Sequence, residues 1–148
     1  MSKWKQFFSY FIFIVLILIL LYLGIRYEVT LRFQASKIYN PMYYYIFTSL
    51  FSILFGIALA LPRLFYGLKK TGNWSLDWIK LLAIGTPTLL LNLSLILIAY
   101  TPVGKIKYFM TYNPFIEMMM TDESMISLCG TIFGYILISS FNKTEEIN

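Results

Sequence analysis

Histidine is absent from the sequence, cysteine occurs once, and charge is scarce. Without histidine the chain lacks the side chain most often used as a general base near neutral pH and as a metal ligand. Cys129 has no second cysteine to pair with, which excludes intramolecular disulfides, C-x-x-C redox relays and cysteine-rich zinc sites. For the same reason cysteine usage does not report a redox compartment. Charged residues make up 13% of the 148, where a water-soluble domain carries about 25%. With 59% hydrophobic residues and a mean hydropathy of +0.71, such a chain cannot clothe a core in polar surface, and the composition is that of a membrane protein.

What charge there is punctuates the sequence. No Asp, Glu, Lys or Arg occurs from Gln6 to Ile25 (20 residues), Ile38 to Pro62 (25), Leu81 to Gly104 (24) or Ser124 to Asn142 (19). A helix rising about 1.5 Å per residue needs roughly 20 residues to cross a hydrocarbon core about 30 Å thick. The chain therefore reads as one integral membrane domain, 1–148, an all-α bundle of four transmembrane helices near 7–26, 42–63, 79–100 and 123–141. Lys3 and Lys5 before an apolar run resemble the start of a secretory signal. The apolar run of about 19 residues exceeds the 7 to 15 of a cleaved signal, and Gly24-Ile25-Arg26-Tyr27 is not a cleavage site, so the first span is expected to remain as an anchor. Asn40-Pro41 is expected to open the second span and Pro62 to close it. Ser75 with Asp77 caps the third, and Thr121 with Asp122 and Glu123 begins the fourth.

Four spans place both termini on one side together with the middle loop. That side holds Lys3, Lys5, Arg63, Lys69, Lys70, Lys80 and Lys143; the other holds Arg26, Arg32, Lys37, Lys105 and Lys107. Seven against five predicts cytoplasmic termini in a multi-pass protein of the cell membrane. Aromatic residues agree with these edges, with Trp4, Phe65, Tyr66, Trp74 and Trp78 inside and Tyr22, Tyr43, Tyr44, Tyr45 and Tyr100 outside. A net charge of +5 and a pI near 9.3 do not indicate nucleic acid here, because the basic residues flank apolar runs, where they orient the chain and attract lipid headgroups.

The charge-free stretches exclude as much as they identify. Ion-coupled transporters, voltage sensors and intramembrane acid–base enzymes hold ionisable groups at depth, because those groups carry the charge or proton that moves. A small multidrug exporter depends on a membrane-embedded carboxylate, and none lies between Gln6 and Ile25. Small residues instead recur at packing intervals: Thr48, Ser52, Gly56 and Ala60 at four-residue steps in the second span, and Gly130 with Gly134 in the fourth. Such ridges let helix backbones approach, either within one bundle or between this chain and a protein partner or second copy.

The third span holds Gly85, Thr86, Pro87 and Thr88, with Asn92 near mid-depth. Pro87 cannot donate to the Ala83 carbonyl and is expected to kink the helix. Thr88 and Asn92 then share a face, either lining a pore or ligand site or bonding across to a neighbour such as Thr131 or Ser127. In the 101–123 loop, Glu117, Asp122, Glu123, Met118, Met119, Met120 and Met125 have the composition but not the ligand set of a metal site. Phe115, Ile116 and the Met run after Asn113-Pro114 fit an interfacial helix.

Two further segments alternate apolar and polar residues: Tyr27, Val29, Leu31, Phe33 and, less cleanly, Ile106, Tyr108, Met110, Tyr112. Period two predicts strands, pairing Glu28–Gln34 with Lys105–Tyr112 as a two-stranded β cap on the outer face. The competing reading continues the first helix through Phe33. No nucleophile with a partnering base is recognisable, so neither an enzyme nor a cofactor is expected. The function expected is that of a non-catalytic membrane subunit or scaffold, with an oligomeric permease or channel component built around Pro87, Thr88 and Asn92 as the alternative.

Overall fold

Helix makes up most of each of the four charge-free stretches in the structure, a computed structural model, with Asn40-Pro41 between two helices and Ser140 to Asn142 leaving the helix for a turn and a strand. Residues 3–38, 40–68, 73–100 and 124–144 are described. They form α1 (Lys3–Ile38), α2 (Met42–Leu68), β1 (Asn73–Leu76), α3 (Trp78–Lys80), a π-helical turn (Leu81–Gly85), α4 (Thr86–Tyr100), α5 (Ser124–Ser139) and β2 (Phe141–Thr144). Two compact units result, residues 1–44 and 45–148.

In the first unit, α1 runs for 36 residues, about 54 Å at 1.5 Å per residue. It contains no proline, and it continues through the alternating segment, for which a strand and an extension of the first helix are the two sequence readings. Residues 28–34 are helix, which corrects the β cap. A helix satisfies every backbone group locally, whereas a strand at that position needs a partner. Thr30 also donates its hydroxyl to the Arg26 carbonyl at 3.0 Å, and Glu28 precedes Arg32 by four residues, the spacing that favours a helical ion pair. The second half of the expected pair, 105–112, and the expected interfacial helix lie outside the described residues. Beyond α1, Asn40 accepts from the Met42 amide at 3.1 Å and starts α2 as the sequence suggests. Tyr44 then lies against α1, its hydroxyl donating to Glu28 Oε1 at 3.5 Å and its ring 5.8 Å from the Arg32 guanidinium.

In the second unit α2 continues past Pro62 to Leu68, so Pro62 does not end the helix. Proline removes one amide, the partner of the Ala58 carbonyl, and a helix with bonds on both sides of the gap continues through it. Opposite ends of the remaining helices are matched by their contacts. Ser52 meets Gly130, Gly56 meets Thr131 and Ile57 meets Gly134, so α2 and α5 run parallel. Lys80 meets Ser139, Gly85 meets Phe133, and Asn92 meets Ile126, so the run from Trp78 to Tyr100 is antiparallel to α5. The three helical runs therefore alternate in direction.

One end of this unit is closed by a two-stranded antiparallel sheet that the sequence reading missed, making the fold mostly helical rather than all-α. β1 pairs β2 with Asn73 opposite Thr144, Trp74 opposite Lys143, Ser75 opposite Asn142 and Leu76 opposite Phe141. Ser75, expected as a helix cap, is a strand residue whose hydroxyl donates to the Asn142 carbonyl at 3.1 Å. Asp77 alone caps α3, accepting from the Lys80 amide at 3.0 Å. Among the described residues, two helices are long and apolar enough to cross a membrane, Trp4–Ile38 and Met42–Leu68; the apolar segments Trp78–Ser94 and Ser124–Ser139 are shorter.

The register predicts a cross-link. With Cys129→Ser as background, the pair Ser75→Cys and Asn142→Cys should oxidise readily to a disulfide, since facing residues in an antiparallel pair have Cα atoms about 4.5–5.5 Å apart. Gel mobility under non-reducing conditions reads the result. Equal cross-linking of a Ser75→Cys, Thr144→Cys pair would mean that the register is wrong.

Candidate functional site

A polar cluster lies where α2, α4 and α5 meet, and Asn92 is its centre. This side chain is fully buried, with 0% exposure. Its Nδ2 donates to Ser52 Oγ at 3.1 Å and to the Ile126 carbonyl at 2.9 Å, so one amide ties its own helix to both neighbours. Ser52 Oγ donates in turn to the Ser49 carbonyl at 2.8 Å, and Ser49 Oγ donates to the Asn92 main-chain carbonyl at 3.2 Å. The circuit fixes the amide orientation, because the Ile126 carbonyl can only accept. Asn92 Oδ1 is the buried side-chain atom that finds no donor among the described residues. A buried acceptor without a donor costs about 1–3 kcal/mol.

Glycine makes this junction possible. A Cβ added at Gly130 would overlap Ser52 Oγ and Asn92 Nδ2, and one at Gly56 or Gly134 would overlap the backbone of Thr131 or Ile53. Thr48, Ser52 and Ala60 are buried with Gly56 along the same side of α2. The structure thus brings Ser52 and Gly56 of one small ridge against Gly130, Thr131 and Gly134 on α5, where the backbones approach closely. Ser49, the member that sequence reasoning missed, stands three residues before Ser52, and that spacing was the available signal.

The residues considered for a pore or ligand site are not gathered in the same way. Pro87 is exposed and Thr88 is half-buried. Thr88 Oγ1 turns back on its own helix, lying 2.7 Å from the Ile84 carbonyl and 3.0 Å from that of Gly85. The helix accommodates Pro87 with the π-helical turn Leu81–Gly85 immediately before it, a local insertion that shifts the hydrogen-bond register. Asn92 reaches Ser52 and Ile126, not Thr131 or Ser127; the Thr131 hydroxyl donates to Ser127 within α5 at 2.9 Å.

No protein family, curated protein or solved structure matches the chain.

The sheet end of the unit holds a second polar cluster. Lys80 Nζ donates to Ser139 Oγ at 2.7 Å and to its carbonyl at 3.4 Å, while the Asp77 amide donates to the Ser140 carbonyl at 2.9 Å. These donors cap the carbonyl end of α5, where a positive charge is favoured by the helix dipole. Among the described residues, no three of His, Cys, Asp and Glu come together. Glu117 to Met120, Asp122 and Glu123 lie outside the described residues, and Met125 is half-buried in the first turn of α5.

Substitutions of glycine separate close approach from simple flexibility. Gly130→Ala should lower the stability of the detergent-solubilised chain by about 1–3 kcal/mol through overpacking. Gly67→Ala should be neutral or slightly stabilising, because the nearest atom to its added Cβ is the Trp74 ring 4.0 Å away. Thermal unfolding followed by circular dichroism gives both values. Equal losses would show that α2 and α5 do not approach at Gly130.

Proposed function

We propose that the chain is a multi-pass integral protein of the cell membrane, with cytoplasmic termini, acting as a non-catalytic subunit or scaffold through helix and loop contacts. The observation that carries this reading is α1. Its most apolar window is only 6% buried, and from Gln6 to Ile25 it presents Phe7, Phe11, Leu16, Leu18 and Leu23 to the surroundings without one charge. A helix apolar on every side is covered by lipid or by protein. Four passes follow from combining α1 with the three alternating passes of the second unit. The sheet supports the side assignment, since it joins the middle loop to the C-terminal segment, and the basic count then favours the cytoplasm for that side.

The scaffold reading draws on where the polar groups are used. Asn92, Ser52 and Ser49 bond helix to helix, Lys80 caps a helix, and Thr88 bonds its own helix. The unpaired Asn92 Oδ1 and the π-helical turn favour a second reading, an oligomeric permease or channel component lined by Pro87, Thr88 and Asn92. Purification in mild detergent separates the two. A stable complex with a different protein supports the scaffold; a homo-oligomer whose uptake activity is lost on Asn92→Leu supports the permease.

Topology is tested by single cysteines at Lys37 and Lys70 in a Cys129→Ser background. An impermeant thiol reagent added to intact cells should label Lys37→Cys and leave Lys70→Cys unreacted until the cells are opened. Labelling of Lys70→Cys from outside would reverse the orientation.

A further inference from the structure

Arg63 follows directly on the charge-free stretch of α2, and its side chain reaches β2 at the sheet end of the second unit. Its Nη2 lies 3.4 Å from Asn142 Oδ1, a long bond to a neutral amide, and the side chain is exposed. One turn further along α2, the Trp74 ring edge lies over Gly67, 4.0 Å from where a Cβ would stand. Asn142 faces Ser75, the neighbour of Trp74, across the sheet. Arg63, Gly67, Trp74 and Asn142 therefore form one corner, with a guanidinium and an indole at its rim.

Among the described residues the charges around this corner do not neutralise Arg63. The two segments that form it, 63–80 and 141–148, hold five basic residues and three acids, of which Glu145 and Glu146 lie outside the described residues. The Asp77 carboxylate accepts from the Lys80 amide at its helix cap, and the Lys80 ammonium turns inward to Ser139. Among the described residues no carboxylate pairs with Arg63. Beside it the same end exposes Phe65, Tyr66, Trp78 and Ile79, the last to 83%. A cation without a carboxylate beside exposed aromatic and aliphatic groups suits a ligand with an anionic head and apolar tails.

We propose that this corner seats the headgroup of an anionic phospholipid. The inference rests on the membrane reading above and specifies its lipid. A phosphodiester offers one negative charge and two non-bridging oxygens, which the planar fork of a guanidinium binds through paired N–H groups. The Trp74 indole lies at headgroup level, and the acyl chains pass over the apolar residues that free phosphate would leave uncovered.

The test uses the full chain, purified in mild detergent and stripped of lipid, then titrated with phosphatidylglycerol, phosphatidylcholine or inorganic phosphate. Thermal unfolding and native mass spectrometry read binding. Phosphatidylglycerol should stay bound and raise the unfolding temperature, while phosphatidylcholine and phosphate should do neither. Arg63→Gln should weaken phosphatidylglycerol binding about tenfold or more, the loss expected of a charge-assisted bond, with Arg63→Lys intermediate because it keeps the charge and loses the fork. Wild-type affinity in Arg63→Gln, equal binding of both lipids, or equal stabilisation by phosphate would each overturn the seat. Alkaline carbonate extraction of the source membranes separates this from the reading beneath it. Release of the chain would overturn both, whereas a retained chain with unchanged binding in Arg63→Gln would overturn the seat alone.

Discussion

The second unit depends on one side-chain amide. Asn92 is the point at which α2, α4 and α5 are held at once, through Ser52 on one side and the Ile126 carbonyl on the other. In an apolar interior, polar groups that lose their partners are costly, so an amide placed there selects the arrangement in which its donors are used. Much of the local sequence follows from that placement. Position 130 must carry no Cβ, because Ser52 and Asn92 occupy the space one would need. Gly56 and Gly134 extend the same close approach along the helices, and the parallel course of α2 and α5 is the geometry that brings all three glycines to one contact line.

The opposite end is organised by charge and backbone rather than by a buried amide. α5 ends at Ser139, and the carbonyls it exposes there are taken by Lys80 and by the Asp77 amide from the start of the preceding pass. The strand pair adds backbone bonds between 73–76 and 141–144, so the end of α5 is tied to the entry of α3 on both sides of the cap. A two-stranded ribbon alone is marginal in water; here helices hold its two strands near each other, which removes most of the closure entropy.

Much of this was legible in the sequence, for reasons that also explain what was not. Charge-free runs located the helices, and Ser52 with Gly56 and Gly130 with Gly134 were legible as contact positions because close helix packing needs small residues at four-residue spacing. The partner of Asn92 was not legible. Its spacing from Thr88 defines a face of α4 but not which neighbour that face meets, and the choice of Ser52 over Thr131 depends on how far α2 and α5 approach. Tyr27 to Gln34 misled because a short alternation fits both a strand and the flank of a helix, and the local bonds from Thr30 and the Glu28–Arg32 spacing favour the helix. Asn73 to Leu76 carries no alternation strong enough to mark it, and its strand exists only because Phe141 to Thr144 is brought beside it.

The measurement that tests the account most directly is a double-mutant cycle on Asn92 and Ser52. Unfolding free energies of Asn92→Ala, Ser52→Ala and the double variant in one detergent give their coupling, with Asn92 and Thr131 as the reference pair. The structure predicts a coupling of about 0.6–1.7 kcal/mol for Asn92 with Ser52, the range of hydrogen bonds between membrane helices, and near-additivity for Asn92 with Thr131. Additivity at Ser52 together with coupling at Thr131 would contradict it.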